Sequence, residues 1–202
     1  FVGEAIGAIY AADVVLILID SINGVEIPTQ RFFHFVNSLK KPYAFFINKM
    51  DLERANAEET LESIKEICPN AALFHLPIGS GSSFKGVVDL LNPKSDIPAD
   101  LAGKAKELKT ALMESIAESD EKLLEKYLEQ GEISEDEMRS AVAKGIATGQ
   151  LHPVFAGASY VATGFDSFLS AVVADFPNPS QMPPFKVKRS DKSEVEMPTD
   201  PS

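Results

Sequence analysis

The sequence predicts an α/β protein built on a doubly wound parallel sheet. Two uninterrupted apolar runs, Val14–Ile19 and Tyr43–Ile47, lack the alternation of a half-exposed strand and are typical of strands buried on both faces. Segments with helical periodicity separate the apolar runs, and the connections between them are short. Ligands on such sheets bind beyond the carboxyl ends of the strands, where Asp20, Asn48 and Asp51 stand in this sequence.

Helix and strand alternate over the first part of the chain. Apolar side chains at spacings of three and four predict a helix that begins near Pro28, since proline suits a first helical turn. Asn56, with Glu59 three residues later, predicts the start of another helix, and Pro69 ends it. In order, the predicted elements are the helix Gly3–Ala12, the strand Val14–Ile19, the helix Pro28–Lys40, the strand Tyr43–Ile47, the helix Asn56–Ile67 and the strand Ala72–Ile78.

The character of the sequence changes after Gly79. A short apolar run, Val87–Leu91, precedes a charged helical region over about residues 99–146, in which Ser134 and Glu137 have the spacing of a capping box. The chain then returns to the sheet and ends in a proline-rich segment that is typical of a linker. The later predicted elements are the strand His152–Ala156, the helix Phe165–Asp175 and a polar, loose segment over Lys186–Ser202.

These changes divide the chain into four predicted parts. Residues 1–84 and 151–178 form the core of the sheet, residues 85–150 form an inserted acidic helical subdomain, and residues 179–202 form a linker toward a next domain. The first residue is Phe1 rather than Met, and the last residues carry no ending signal. We therefore expect this chain to be a piece of a longer protein.

Composition and charge exclude several classes of protein. The chain has 202 residues and a net charge of −11, so a basic face for nucleic acid is not expected. No apolar stretch approaches the ~20 residues that a membrane span needs, and no signal peptide is evident. A single cysteine, Cys68, cannot form an internal disulfide and fits a reducing compartment, which predicts a cytoplasmic protein.

Much of the negative charge lies in the predicted helical insertion. Residues 96–145 carry 13 acidic and 7 basic side chains, a net charge of −6. One interpretation is a solvated helix surface, because adjacent pairs such as Asp120-Glu121 do not face each other across a site. The other is a surface that docks a basic partner, and the sequence leaves both interpretations open.

The segment Asn48-Lys49-Met50-Asp51 is the strongest candidate binding site, because it directly follows a predicted strand. An aspartate carboxylate can accept the N1–H and the 2-amino group of guanine together, whereas adenine offers an acceptor at N1 and no 2-amino group. The Asn48 side chain can tie neighbouring loops together, and the methylene stem of Lys49 can lie along a base plane. The alternative is an Asx-type turn that caps the next helix.

A second candidate segment, Gly157-Ala158-Ser159, follows the last predicted strand. Small residues there would let a backbone N–H approach a ligand carbonyl such as guanine O6. The alternative is a small-residue turn without a ligand.

Two other features do not have the pattern of a binding site. The glycines from Gly79 to Gly86 lack the order of a phosphate-binding loop, which favours a flexible hinge. His34, His75 and His152 are widely spaced in different elements, so we expect no metal site.

Taken together, these motifs resemble the translation elongation factor G family. The segment Gly86–Leu90, the segment Ile97–Asp100 and the acidic run from Asp120 to Glu132 resemble that family's insertion. Val154–Ser159 resembles its last nucleotide-binding loop, although the usual Gly-Ser-Ala order has its last two residues exchanged. The resemblance extends from Phe1 to about Pro184, with a shorter connection between the two halves of the insertion.

The resemblance implies the fold of a P-loop GTPase, a GTP or GDP ligand, and action on the ribosome in translation elongation. It also implies that the acidic insertion can meet the ribosomal stalk protein. The guanine-binding residues would be Asn48, Lys49, Met50 and Asp51, together with Ala158 and Ser159.

The same resemblance identifies parts of the family pattern that these 202 residues do not contain. The phosphate-binding loop, the first switch and the Asp-x-Pro-Gly-His motif are absent, and with them the Mg²⁺ ligands and the water-positioning residue. We therefore expect an incomplete sheet that does not hydrolyse GTP alone. We also expect the strand Val14–Ile19 to have an open edge that promotes self-association.

Two alternative functions stay open at this point. A paralogue acting in ribosome recycling or protection would share these motifs. A non-catalytic interaction module would use the acidic helices alone.

Overall fold

The centre of the fold is a four-stranded parallel sheet, as the sequence predicts. The computed structural model describes residues 2–92, 96–130, 133–182 and 184–197. The sheet has the order β1-β2-β6-β3 and is formed by β1 (Val15–Asp20), β2 (Tyr43–Asn48), β3 (Ala71–Leu73) and β6 (His152–Ala156). Outside it lie β4 (His75–Ile78) with β5 (Gly86–Asp89), and β7 (Phe185–Lys188) with β8 (Glu194–Met197).

Helices cover both faces of the sheet, which is the doubly wound arrangement. On one face, side chains such as Phe45 and Val154 pack against α1, α2 and α3; on the other, Phe46 and Phe155 pack against the remaining helices. None of the described helices is long and apolar enough to cross a membrane. The helices are α1 (Val2–Ala11), α2 (Ile27–Ser38), α3 (Ala57–Ile67), α4 (Ala102–Glu118), α5 (Glu121–Gln130), α6 (Glu135–Thr148) and α7 (Phe165–Asp175).

Local sequence signals account for the helix starts. The Asn56 side chain accepts hydrogen bonds from the backbone N–H groups of Glu58 and Glu59, so it caps α3 as predicted. Ser134 and Glu137 form the predicted capping box of α6, in which each side chain accepts from the other residue's backbone N–H.

The predicted strand Ala72–Ile78 divides into two strands at Phe74. The Phe74 N–H donates to the Val154 carbonyl in the main sheet, while the Phe74 carbonyl accepts from Leu90 N–H. Beyond this point β4 leaves the main sheet and pairs antiparallel with β5. Pro77 has no N–H for a central ladder, which favours this excursion, but the continuous apolar run hides the division.

The helices of residues 85–150 share a hydrophobic core with the sheet. Ile116 of α4 and Val142 of α6 are fully buried in the same cluster as Phe155 of β6 and Phe168 of α7. The helical segment therefore packs against one face of the sheet.

The structure has a hairpin, β7–β8, within the segment that the sequence predicts to be loose. Lys188 and Glu194 face each other across it, and Arg189 N–H donates to the Ser193 carbonyl in its turn. Opposite charges on the facing strands favour this pairing, whereas the high polarity of the segment masks it. Residues 198–202 of the predicted linker lie outside the described residues.

Strand β1 lies at one edge of the sheet and, within the described ranges, pairs only with β2. Leu16 and Leu18 lie on the same face as Ala44 and Phe46, yet their exposures are 37% and 61%. An edge strand that carries exposed leucines is a template for pairing with another chain.

We expect the 202-residue chain to self-associate through this edge, and Leu18→Lys to weaken that association. A lysine on an edge strand opposes pairing with a second strand and leaves the buried side of the sheet intact. Light scattering over a concentration series measures the effect. Val173→Lys is the matched control, because Val173 is 88% exposed but lies on α7. A monomeric wild-type chain at high concentration would contradict the prediction.

Candidate functional site

The candidate site lies at the carboxyl edge of the sheet, where β1, β2 and β6 end side by side. Asp20 and Asn48 are partners in the β1–β2 register, and Ile47 and Ala156 are partners in the β2–β6 register. The loops that follow β2 and β6 therefore leave the sheet next to each other. These loops contain all six residues that the sequence predicts to bind guanine.

Asn48 joins the two loops through a reciprocal pair of hydrogen bonds. Its Nδ2 donates to the Ser159 hydroxyl over 2.9 Å, and its Oδ1 accepts from the Ser159 N–H over 3.0 Å. The Lys49 N–H also donates to Asn48 Oδ1 over 2.8 Å. The helix that follows is capped by Asn56, so the bridging role predicted for Asn48 is what the structure has.

Met50 contributes to this junction through its backbone rather than its side chain. The side chain is 1% exposed and packs in the core, while the Met50 N–H donates to the Gly157 carbonyl over 3.2 Å. A Cβ on Gly157 would lie 2.8 Å from the Phe46 ring, so only glycine fits there. Sequence spacing gave no signal for the direction of the Met50 side chain.

The segment Gly79–Gly86, predicted as a flexible hinge, contacts the same loop through its first part. Gly81–Ser83 form a single turn of 3₁₀ helix, and the Gly81 N–H donates to the Met50 carbonyl over 2.8 Å. Gly81 has a φ of +59°, a conformation that favours glycine. The glycines therefore let this segment approach the Met50 backbone closely.

The Asp51 carboxylate is partly exposed and forms no hydrogen bond or ion pair with any residue that the structure describes. It is an open side-chain acceptor of this loop, whereas the Asn48 side chain is already engaged by Ser159. A carboxylate in this state can accept two adjacent donors from a ligand without first breaking a protein contact.

The loop after β6 uses its first backbone donors internally. The Ala158 N–H donates to the Thr163 carbonyl over 3.0 Å and the Ser159 N–H to Asn48 Oδ1, so neither N–H is open to the ligand carbonyl that was predicted to bind there. The Tyr160 N–H has no acceptor among the described residues, and the residue is 94% exposed. Sequence reasoning missed Tyr160, because the turn that engages Ala158 depends on a contact five residues away.

Lys49 is held by the end of β1. Its φ is +65°, its carbonyl accepts from the Ser21 hydroxyl over 2.9 Å, and its Nζ lies 2.6 Å from Asp20 Oδ2. The hydrogen bond from Lys49 lowers the pKa of Asp20, and the hydrogen bond to Asp20 raises the pKa of Lys49. The sequence placed Asp20 at the strand end, but it gave no sign of this ion pair.

The three histidines lie in different elements and are not grouped with other ligand side chains in the described part of the chain. The described residues contain no group of three or more His, Cys, Asp or Glu side chains that could hold a metal ion. His75 and His152 are both buried, in β4 and β6, whereas His34 is exposed on α2.

The parallel sheet and the paired loops at its carboxyl edge define a nucleotide-binding α/β domain. Residues 1–178 match the family described as elongation factor Tu GTP binding domain, and the chain belongs to that family. It is a GTP-binding domain of the translational GTPases of the elongation factor G and Tu type.

Two relatives support this assignment. An elongation factor G-like protein of Thermotoga maritima is 30% identical over 205 residues, covering 98% of this chain. A crystal structure of a protein from Thermus thermophilus has a TM-score of 0.81 and 25% identity, covering 91% of this chain. The chain spans 30% of the length of each of these two proteins.

Proposed function

We propose that this chain is the guanine-recognition part of a translational GTPase that acts on the ribosome in elongation. The observation that carries the proposal is the open Asp51 carboxylate, which lies in one of the two loops that Asn48 and Ser159 hold together. Membership of the family supports a guanine nucleotide as the ligand. The site lies at the carboxyl edge of the sheet, which is where ligands bind to sheets of this kind.

The proposed recognition follows from the donors of guanine. Asp51 accepts the N1–H and the 2-amino group, while the Lys49 stem lies along one face of the base. Asn48 and Ser159 keep the loops at a fixed separation, the Met50 N–H donates to the Gly157 carbonyl of the other loop, and Ala158 is held by Thr163. Guanine O6 faces the loop after β6, where the Tyr160 N–H is a backbone donor that has no acceptor among the described residues.

The residues present fit the base but not the triphosphate. The 202 residues contain no G-x-x-x-x-G-K-[ST] segment, so the predicted phosphate cradle and Mg²⁺ ligands are not among them. When bound, Mg²⁺ and the phosphate loop would supply charge stabilisation for phosphoryl transfer. We propose that the whole protein hydrolyses GTP and that these 202 residues alone do not.

The proposed setting is the cytoplasm, with the ribosome as the principal partner. Translocation is the elongation step that the resemblance to elongation factor G supports, and the acidic surface of residues 96–145 is the candidate contact for the stalk protein. A role in ribosome recycling or protection uses the same site. The acidic surface alone would favour an interaction module, and that module would need no base preference.

A titration of fluorescent GDP against fluorescent ADP tests the proposal, using both the whole protein and the 202-residue chain. We expect the whole protein to prefer GDP, and single-turnover assays to detect GTP hydrolysis only in the whole protein. Equal affinity for both nucleotides would contradict the assignment of the base site. Hydrolysis by the 202-residue chain above a buffer blank would contradict the proposal that these residues alone do not hydrolyse GTP.

A further inference from the structure

Lys49 has a backbone conformation that needs support from its surroundings. Its φ of +65° lies in the left-handed region, which costs a non-glycine residue roughly 1–2 kcal/mol. Three neighbours support it: the Ser21 hydroxyl donates to its carbonyl, Asn48 Oδ1 accepts its N–H, and Asp20 accepts from its Nζ. The backbone of Lys49 is therefore fixed, and its side chain is fixed at the far end.

The Asp20 carboxylate is itself oriented by the turn after β1. Its Oδ1 accepts from the Ile22 N–H over 2.8 Å, and its Oδ2 lies 2.6 Å from Lys49 Nζ. The Asp20 carbonyl accepts from the Gly24 N–H, and the positive φ of Gly24 closes this turn. The Asp20 side chain is only 19% exposed, whereas that of Lys49 is 53% exposed. Asp20 is therefore the better-ordered partner of the pair.

We propose that Asp20 is a positioning residue of the guanine site, which holds the Lys49 stem in the orientation that a base plane requires. This inference rests on the proposed function. Asp20 and Asn48 are register partners, so a lysine that follows Asn48 and reaches back to Asp20 spans the ends of two adjacent strands. The methylene stem is then stretched across the carboxyl edge of the sheet before any nucleotide arrives.

The expected benefit is preorganisation. A lysine side chain is rich in rotamers, and a ligand that must immobilise it loses affinity. The ion pair with Asp20 removes much of this loss in advance. The opposite directions of the two pKa shifts agree with a charged pair, and an exposed pair of this kind is sensitive to salt.

The test measures the affinity of the whole protein for GDP and for IDP, which lacks the 2-amino group. We expect Asp20→Asn to weaken both by the same factor, about 3–10-fold, because Lys49 contacts the plane of the base and not its edge. Asp20→Glu should restore much of the loss. The direction of the change in affinity is informative, because removing a negative charge near an anionic ligand would by itself raise the affinity.

The Lys49→Met variant tests whether Asp20 acts through Lys49. If Asp20 acts through Lys49, Asp20→Asn should cause no further loss in that background. Glu62→Gln is the matched control, since it breaks an exposed carboxylate–lysine pair on α3 and should leave both affinities unchanged. The inference would be overturned if Asp20→Asn lowered the nucleotide affinity of the Lys49→Met variant as much as that of the wild type. It would also be overturned if Asp20→Asn did not lower the affinity of the wild type. A wild-type protein that does not prefer GDP to ADP would instead overturn the proposed function.

Discussion

Replacement of Asp51 by alanine is expected to abolish the preference of the whole protein for guanine over adenine nucleotides. Guanine would lose the charged acceptor for two adjacent donors. Sites built to hydrogen-bond a ligand group discriminate strongly, and loss of charge-assisted bonds costs about 2–4 kcal/mol, or roughly 30- to 1000-fold in affinity. Adenine nucleotides make no such bonds, so their affinity should change little.

Competition between GDP and ADP for one fluorescent nucleotide measures this preference. Glu53→Ala is the matched control, because it removes an exposed carboxylate two residues away with the same change of net charge. We expect it to leave the preference intact. A preference that survives Asp51→Ala would place base recognition elsewhere in the molecule.

The parts of the fold with repeated local signals could be predicted from the sequence. The run of β2 was recognisable because a strand covered on both faces needs no polar positions, and Asn56 marked its helix because its cap is local. The similar run of β1 also forms a strand, but the prediction that both of its faces are buried was wrong, because Leu16 and Leu18 are exposed. The division of Ala72–Ile78 at Phe74 was not recognisable. Its cause is a pair of backbone bonds to Val154 and Leu90, both distant in sequence.

The site shows the same limit at finer scale. A bridging role for Asn48 follows from its place between two strand ends, and the bonds to Ser159 fulfil it despite the exchanged order of the loop. The positive φ of Lys49 has no sequence signal, because lysine rarely adopts that conformation. The ion pair with Asp20 depends on the register of two strands, and a motif within one loop does not contain that information.

His75 presents a different kind of problem, because it is a polar ring in an apolar core. It is fully buried, its ring packs edge-on against Phe155 at 4.9 Å, and neither ring nitrogen has a hydrogen-bond partner anywhere in the described chain. Asp89 lies opposite it in the β4–β5 register, but one oxygen of that carboxylate accepts from the Leu91 and Asn92 N–H groups. Burial lowers the pKa of His75 from 6.5 to about 4.

We therefore expect His75→Leu to stabilise the protein, and to do so increasingly as the pH falls. At pH 7 the variant avoids two unsatisfied buried nitrogens, a gain of about 1–3 kcal/mol in the free energy of unfolding. Between pH 6.5 and 4 the unfolded wild type binds a proton at this residue while the folded wild type does not. The wild type therefore loses stability on acidification through this group, by about 3 kcal/mol at pH 4, and the variant does not.

The comparison of variant and wild type is essential, because other buried groups oppose His75 over the same range. Burial raises the pKa of Asp175 to about 6 even though Arg139 lies 3.3 Å away, and it also raises the pKa of Asp89. These carboxyls bind protons more readily in the folded state, so they stabilise the fold as the pH falls. The free energy of unfolding of the wild type can thus change little with pH, because the contributions of His75 and of these carboxyls have opposite signs.

Urea denaturation of both proteins from pH 7 to pH 4 isolates the contribution of His75. His34→Leu is the control for replacing a histidine by a leucine, because that histidine is exposed on α2. The difference in the free energy of unfolding between His75→Leu and wild type should widen as the pH falls. A difference that is independent of pH would contradict the prediction, because it would mean that His75 binds a proton equally well in the folded and unfolded states.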